Sequence, residues 1–95
     1  MSAIVVARVH VTDPERYERY KPISFEALKK YGGRYLVRGA EPVTLEGEVD
    51  NARYVVVEFD SVEAATAFYD SPEYRHARDV RAGASDSAIF VLEVA

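Results

Sequence analysis

Ile4 to Val11 reads IVVARVHV. Alternate residues of an extended chain face opposite ways, so Val5, Ala7, Val9 and Val11 share an apolar face. The other face carries Ile4, Val6, Arg8 and His10 and passes from apolar to polar. The run is β-branched and too short for a typical helix, which predicts a strand. Thr12-Asp13-Pro14-Glu15 then starts a helix, through Asp13 as N-cap with Pro14 at the first turn, or through a Thr12–Glu15 capping box. Tyr17, Tyr20, Ala27, Leu28 and Tyr31 recur at near-helical spacing, and Gly32-Gly33 supplies a stop. Pro22 lies inside and removes a backbone donor, so a kink or break is expected near Lys21.

Arg34 to Arg38 (RYLVR) predicts a second strand and Arg53 to Asp60 (RYVVVEFD) a third. Gly39 to Ala52 between them is turn-rich, with Val43-Thr44-Leu45 as a brief outlying hairpin. Ser61 caps a second helix that runs through Tyr69. Ser71-Pro72 opens a short third one, with Tyr74, Ala77 and Val80 on one side and Gly83 at its close. Ala88 to Val94 (AIFVLEV) is the last strand. The order is the split βαβ of an α+β, ferredoxin-like βαββαβ domain over residues 1–95, with helices on one face of a four-stranded antiparallel sheet. The other face should then alternate with polar residues, yet Ile4, Val6, Val56 and either side of the last strand are apolar. Such a face calls for a partner, and the simplest is a second copy about a two-fold axis. The expected assembly is a homodimeric α+β barrel.

Composition narrows the setting. Ninety-five residues, 48% of them hydrophobic, support one core and no second domain. The chain has no Cys and a net charge of −4, which excludes disulfide and thiolate chemistry and disfavours nucleic acid as a partner. No apolar run approaches the ~20 residues of a membrane span, and no signal-peptide pattern opens the chain, so a soluble, cytoplasmic protein is expected.

Three stretches carry a resemblance: VTDPERYERY (Val11 to Tyr20), YGGRYLVRGA (Tyr31 to Ala40) and SPEYRHARDVR (Ser71 to Arg81), with VVVEF (Val55 to Phe59) beside them. The chain resembles the family of domain of unknown function 1330, within the dimeric α+β barrel superfamily. The resemblance implies the barrel fold and a dimer, and it implies no activity. The wider superfamily mixes cofactor-independent monooxygenases, lactone isomerases, haem-binding members and proteins of no known catalysis, so fold alone does not convert into function.

Candidate chemistry is sparse. Arg8 and His10 share a strand face, where Arg8 could hold a carbonyl or carboxylate and His10 could move a proton near neutral pH. Glu58, on a neighbouring strand, is the second proton-transfer candidate, and an Arg8–Glu58 ion pair filling the barrel is the bland alternative. Arg34 and Arg38 are spaced to share a face with Leu36 and, with Arg8, to make an anion-binding wall; equally, they are charges guarding a sheet edge. Tyr74 is a further ligand-binding candidate beside the row Arg75, Arg78 and Arg81, which also reads as a solvated helix face. Two His, no Cys and no metal-ligand spacing point to no metal, and no Gly-rich phosphate cradle points to no bound cofactor. Two functions follow. One is a cofactor-independent enzyme acting on an oxygenated or anionic organic compound. The other is a non-catalytic small-molecule-binding or accessory homodimer whose interior charges are structural.

Overall fold

The chain, in a computed structural model that describes residues 2–95, runs β1 (Ala3–Val11), α1 (Pro14–Lys30), β2 (Arg34–Ala40), β3 (Arg53–Phe59), α2 (Val62–Asp70), α3 (Pro72–Arg81) and β4 (Ser85–Glu93). The four strands form one sheet in the order β2-β3-β1-β4, every neighbouring pair antiparallel. This is the expected ferredoxin-like α+β plan.

Local chemistry sets the helix boundaries. Asp13 caps α1 by accepting from the Arg16 backbone N–H at 3.2 Å, the first of the two starts open to the sequence. Pro22 does not break α1, which continues for 17 residues. Its missing N–H leaves the Glu18 carbonyl without its i+4 donor, and the turns on either side carry the helix past it. Ser61 caps α2, its hydroxyl oxygen accepting from the Ala64 backbone N–H at 3.0 Å. The Ser71 hydroxyl joins two helices: it donates to Phe68 carbonyl at 2.7 Å, closing α2, and accepts from Tyr74 N–H at 3.1 Å, opening α3.

Helices cover one sheet face only. Val9, Val57 and Phe59 are buried there against Leu28, Phe68 and Ala77, and Val5, Ala7, Tyr35, Val55 and Val91 pack around them. Phe59 and Phe68 rings lie 5.2 Å apart, and Phe68 and Tyr74 rings 4.5 Å apart. The opposite face carries Ile4, Val6, Val56, Phe90 and Leu92, and Phe90 and Leu92 are about half exposed at 48% and 50%.

Three expectations change. β4 begins at Ser85, three residues before its apolar run, because Val11, His10 and Val9 pair with Ser85, Asp86 and Ser87. The connector between β2 and β3 holds no hairpin: Val43 and Leu45 are 87% and 95% exposed and pair with nothing. β2 reaches Ala40 by way of two irregularities, one between Tyr35 and Val37 and one between Arg38 and Ala40. No helix among the described residues is long and apolar enough to cross a membrane.

Candidate ligand cavity

Residues directly opposite in paired strands share a sheet face. Arg34 pairs with Glu58 and Tyr35 with Val57; Val37 then pairs with Val56, so Leu36 is the extra residue of a bulge. The bulge reverses the alternation. Arg34 falls on the uncovered face, and Arg38, opposite Val55, falls on the helix face. The shared face expected for Arg34, Leu36 and Arg38 is therefore absent, because even spacing holds only in a strand with no inserted residue.

The uncovered face receives four of the candidate residues in two separate groups. Arg8 donates to Asp50 at 2.7 Å, and His10 Nε2 donates to the other oxygen of the same carboxylate at 2.9 Å. These contacts hold the Asp50 carboxyl below the ordinary aspartate range, the His10 bond having the larger effect. Arg34 donates to Glu58 at 3.2 Å and to Asp60 at 3.4 Å. The expected Arg8–Glu58 pair does not form: Arg8 stands opposite Tyr54, while Glu58 stands opposite Ile4. Four residues of strand separate the two positions, roughly 13 Å. His10 is two residues further along, so the structure does not bring His10 and Glu58 together within one chain. Asp50, from the connector, is the partner that strand pairing could not reveal.

The remaining two candidates, Arg38 and Tyr74, meet on the helix face. There α1, α2 and α3 stand off the sheet around a cavity of about 240 Å³. For scale, an engineered apolar cavity of about 150 Å³ takes up benzene. The floor is apolar, with Val5, Ala7, Val9, Val55 and Val57 from the sheet and Phe68 from α2. Phenols and cations supply the polar lining. Tyr20 and Tyr74 are buried and share a hydroxyl hydrogen bond of 2.7 Å, and Arg81 donates to the Tyr74 oxygen at 3.4 Å. Burial raises the Tyr74 phenol above its ordinary value, with Tyr20 adding to the effect. Burial and then Tyr20 push Tyr17 up to about 12, against the pull of Arg81 and Arg53. Both phenols therefore stay protonated at neutral pH and act as hydrogen-bonding groups, not as bases or nucleophiles.

Arg38 and Arg53 are exposed residues at the margin of the cavity. The Arg38 guanidinium lies 4.5 Å from the Tyr35 ring centroid and 5.2 Å from that of Phe25, two rings that are themselves stacked. Arg53 lies against Gly39, the extra residue of the second irregularity in β2, whose φ is +79°. No carboxylate lines the cavity among the described residues.

The sequence marked Tyr17 and Tyr20 only as members of a helical repeat and Arg81 only as a member of a solvated row. That row in fact splits, with Arg75 exposed, Arg78 over the Tyr69 ring at 4.2 Å and Arg81 over the Tyr20 ring at 5.1 Å. Arg53 carried no signal at all. Its opposition to Val9 is what puts it on the helix face.

The model of a domain of unknown function, DUF1330, matches residues 2–95. The chain belongs to the DUF1330 family. No curated protein matches this DUF1330 chain. Among solved structures it is similar to a protein of unknown function from Rhodopseudomonas palustris, at 22% identity over 99% of this chain and 82% of that one, with a TM-score of 0.77. A dimeric ferredoxin-like protein of unknown function from Jannaschia sp. CCS1 is 14% identical over 99% of this chain and all of that one, with a TM-score of 0.74. SnoaB, a cofactor-independent oxygenase from Streptomyces nogalater, is 16% identical over 99% of this chain and 93% of that one, with a TM-score of 0.70. At these identities the likeness is one of fold.

Proposed function

We propose that this DUF1330 chain is a homodimeric small-molecule protein whose helix-side cavity takes up an oxygenated or anionic organic compound. The observation that carries the reading is the cavity itself. It has an apolar floor, a hydroxyl pair at 2.7 Å to orient a polar atom, and arginines at its margin. A pocket of that kind, mostly apolar with a few converging polar groups, is what small ligands need. Arg38 and Tyr74 are its ligand-binding candidates, joined by Tyr20, Arg53 and Arg81.

Dimerisation is supported by the uncovered apolar sheet face and by the dimeric Jannaschia protein of the same fold. Arg8, His10, Arg34 and Glu58 would then lie in or beside the joined faces. The fold shared with SnoaB supports a second reading, in which the protein is a cofactor-independent enzyme acting on the compound it binds. His10 and Glu58 lie on the opposite sheet face from the cavity, so in that reading they would transfer protons only to a compound held between the joined faces.

A thermal-shift screen of oxygenated acids and quinones tests the cavity. A binder at a hundredfold excess over its Kd should raise the melting temperature by roughly 10–20 °C. The rise should shrink when Tyr74→Phe removes the phenolic oxygen. Failure of the whole panel to move the transition would overturn the reading.

A further inference from the structure

The cavity's charge is out of keeping with the chain's. The protein has 16 acidic residues against 12 Lys and Arg, yet Lys21, Arg38, Arg53 and Arg81 all line the cavity and no carboxylate does. Lys21 is balanced by Glu18 at 2.8 Å. Arg8 and Arg34, on the other sheet face, also have carboxylate partners. Arg38, Arg53 and Arg81 have none among the described residues.

The three are held in place by other means. Arg38 lies over stacked Tyr35 and Phe25 and makes no side-chain hydrogen bond or ion pair among the described residues, so its N–H groups remain available to an oxygen anion. Arg53 occupies space that only a glycine at position 39 leaves open, since a Cβ there would come within 2.4 Å of its terminal nitrogen. Arg81 stands over the Tyr20 ring and reaches the Tyr74 hydroxyl. Aromatic faces and a glycine thus do the positioning that carboxylates do elsewhere in the molecule, and the positive charge is left unneutralised.

The floor between these groups is aliphatic, with Phe68 and Tyr69 at its side. An unpaired anion on that floor would be costly, so a ligand's charge belongs at the margin, where the exposed guanidinium groups of Arg38 and Arg53 stand. No His, Asp, Glu or Cys lines the cavity to take a proton from a bound ligand or give one back. The electrostatics therefore sort ligands by the charge they already carry.

We infer that the cavity selects the ionised form of an aromatic acid, its ring over the aliphatic floor and its charged oxygen against the Arg38–Arg53 margin. This rests on the cavity being the ligand site. A carboxylate and a phenolate would satisfy it alike, and the experiment separates them.

Calorimetry with the full chain at neutral pH compares 2-naphthoate with 2-naphthamide, its uncharged isostere. Absorbance titration of 4-nitrophenol, whose two protonation states differ in colour, reads its pKa in the complex. The carboxylate should bind at least about tenfold tighter than the amide, or the phenol's pKa should fall by about one unit on binding. A response in one arm identifies the acid class. Arg38→Gln and Arg53→Gln should each reduce the preference, while Arg75→Gln, exposed and outside the cavity, should leave it intact. Both arginines are exposed, so neither variant should threaten folding. Equal affinity for naphthoate and naphthamide with an unshifted nitrophenol would overturn the selectivity and leave the cavity as a ligand site. Absence of binding by all three would overturn the ligand site as well.

Discussion

Gly39 is the residue on which the cavity margin turns. Its φ of +79° lies in the left-handed region, and the Arg53 guanidinium rests where a side chain would begin. An L-residue there costs about 1–2 kcal/mol from backbone crowding alone. The atom met first is the far end of a flexible side chain, so Arg53 and not the sheet would give way. Gly39→Ala should therefore lower the urea midpoint by the equivalent of about 1–2 kcal/mol and weaken anion binding at the cavity. Unchanged stability would show that β2 relaxes without strain at this point. Nothing in RYLVRGA announces this role, because a glycine after a strand reads first as a turn.

At the scale of elements, the connector between β2 and β3 is tied down chiefly at its end. Asp50 accepts from Arg8 and from His10, and its carboxyl is held below the ordinary aspartate value. The folded state thus takes up this proton less readily than the unfolded chain. The contact contributes fully above the ordinary value of about 4 and is lost as pH falls through the depressed folded value. Asp50→Asn should flatten that part of the acid limb in denaturation midpoints measured from about pH 5 down to 2. An unaltered acid limb would mean that the contact does not persist in solution. The element order itself was legible, because alternation in β1 and β3 and the caps at Asp13, Ser61 and Ser71 are local properties. Which face received Arg38 was not, since the bulge at Leu36 depends on pairing with β3. Nor was the Arg8–Asp50 contact, which joins residues 42 apart through a connector with no periodicity to read. Pro22 left a kink or a break open, and of these the break is absent, because packing of Tyr17, Tyr20, Ala27 and Leu28 holds α1 in one piece.

As a whole the molecule is a slab, 37 × 35 × 15 Å along its principal axes, with helices on one side and bare sheet on the other. In the proposed dimer the two bare faces meet. Phe90, on the edge strand β4 opposite Val6, belongs to that face and is 48% exposed in the single chain. Phe90→Asp should leave the protomer folded and shift its sedimentation at micromolar concentration from dimer to monomer. A wild-type chain sedimenting as a monomer would sink the dimer outright. The same sheet then serves two surfaces at once, with Val5, Ala7 and Val9 lining the cavity and Ile4, Val6 and Arg8 facing the partner.

The bulge at Leu36 gives β2 something like a reading frame. Up to Tyr35 odd-numbered positions face the helices; from Val37 to Arg38 the even-numbered one does. Parity, and not residue type, decides on which side of the sheet a charge is delivered. Two arginines four positions apart in the chain thereby serve different compartments of the molecule, Arg34 the carboxylates of β3 and its turn, Arg38 the cavity. Deleting Leu36 would remove the bulge yet keep the two arginines on opposite sides, three positions apart in a regular strand, whereas regular pairing with Leu36 retained would deliver both charges to the same side and empty the cavity margin of Arg38.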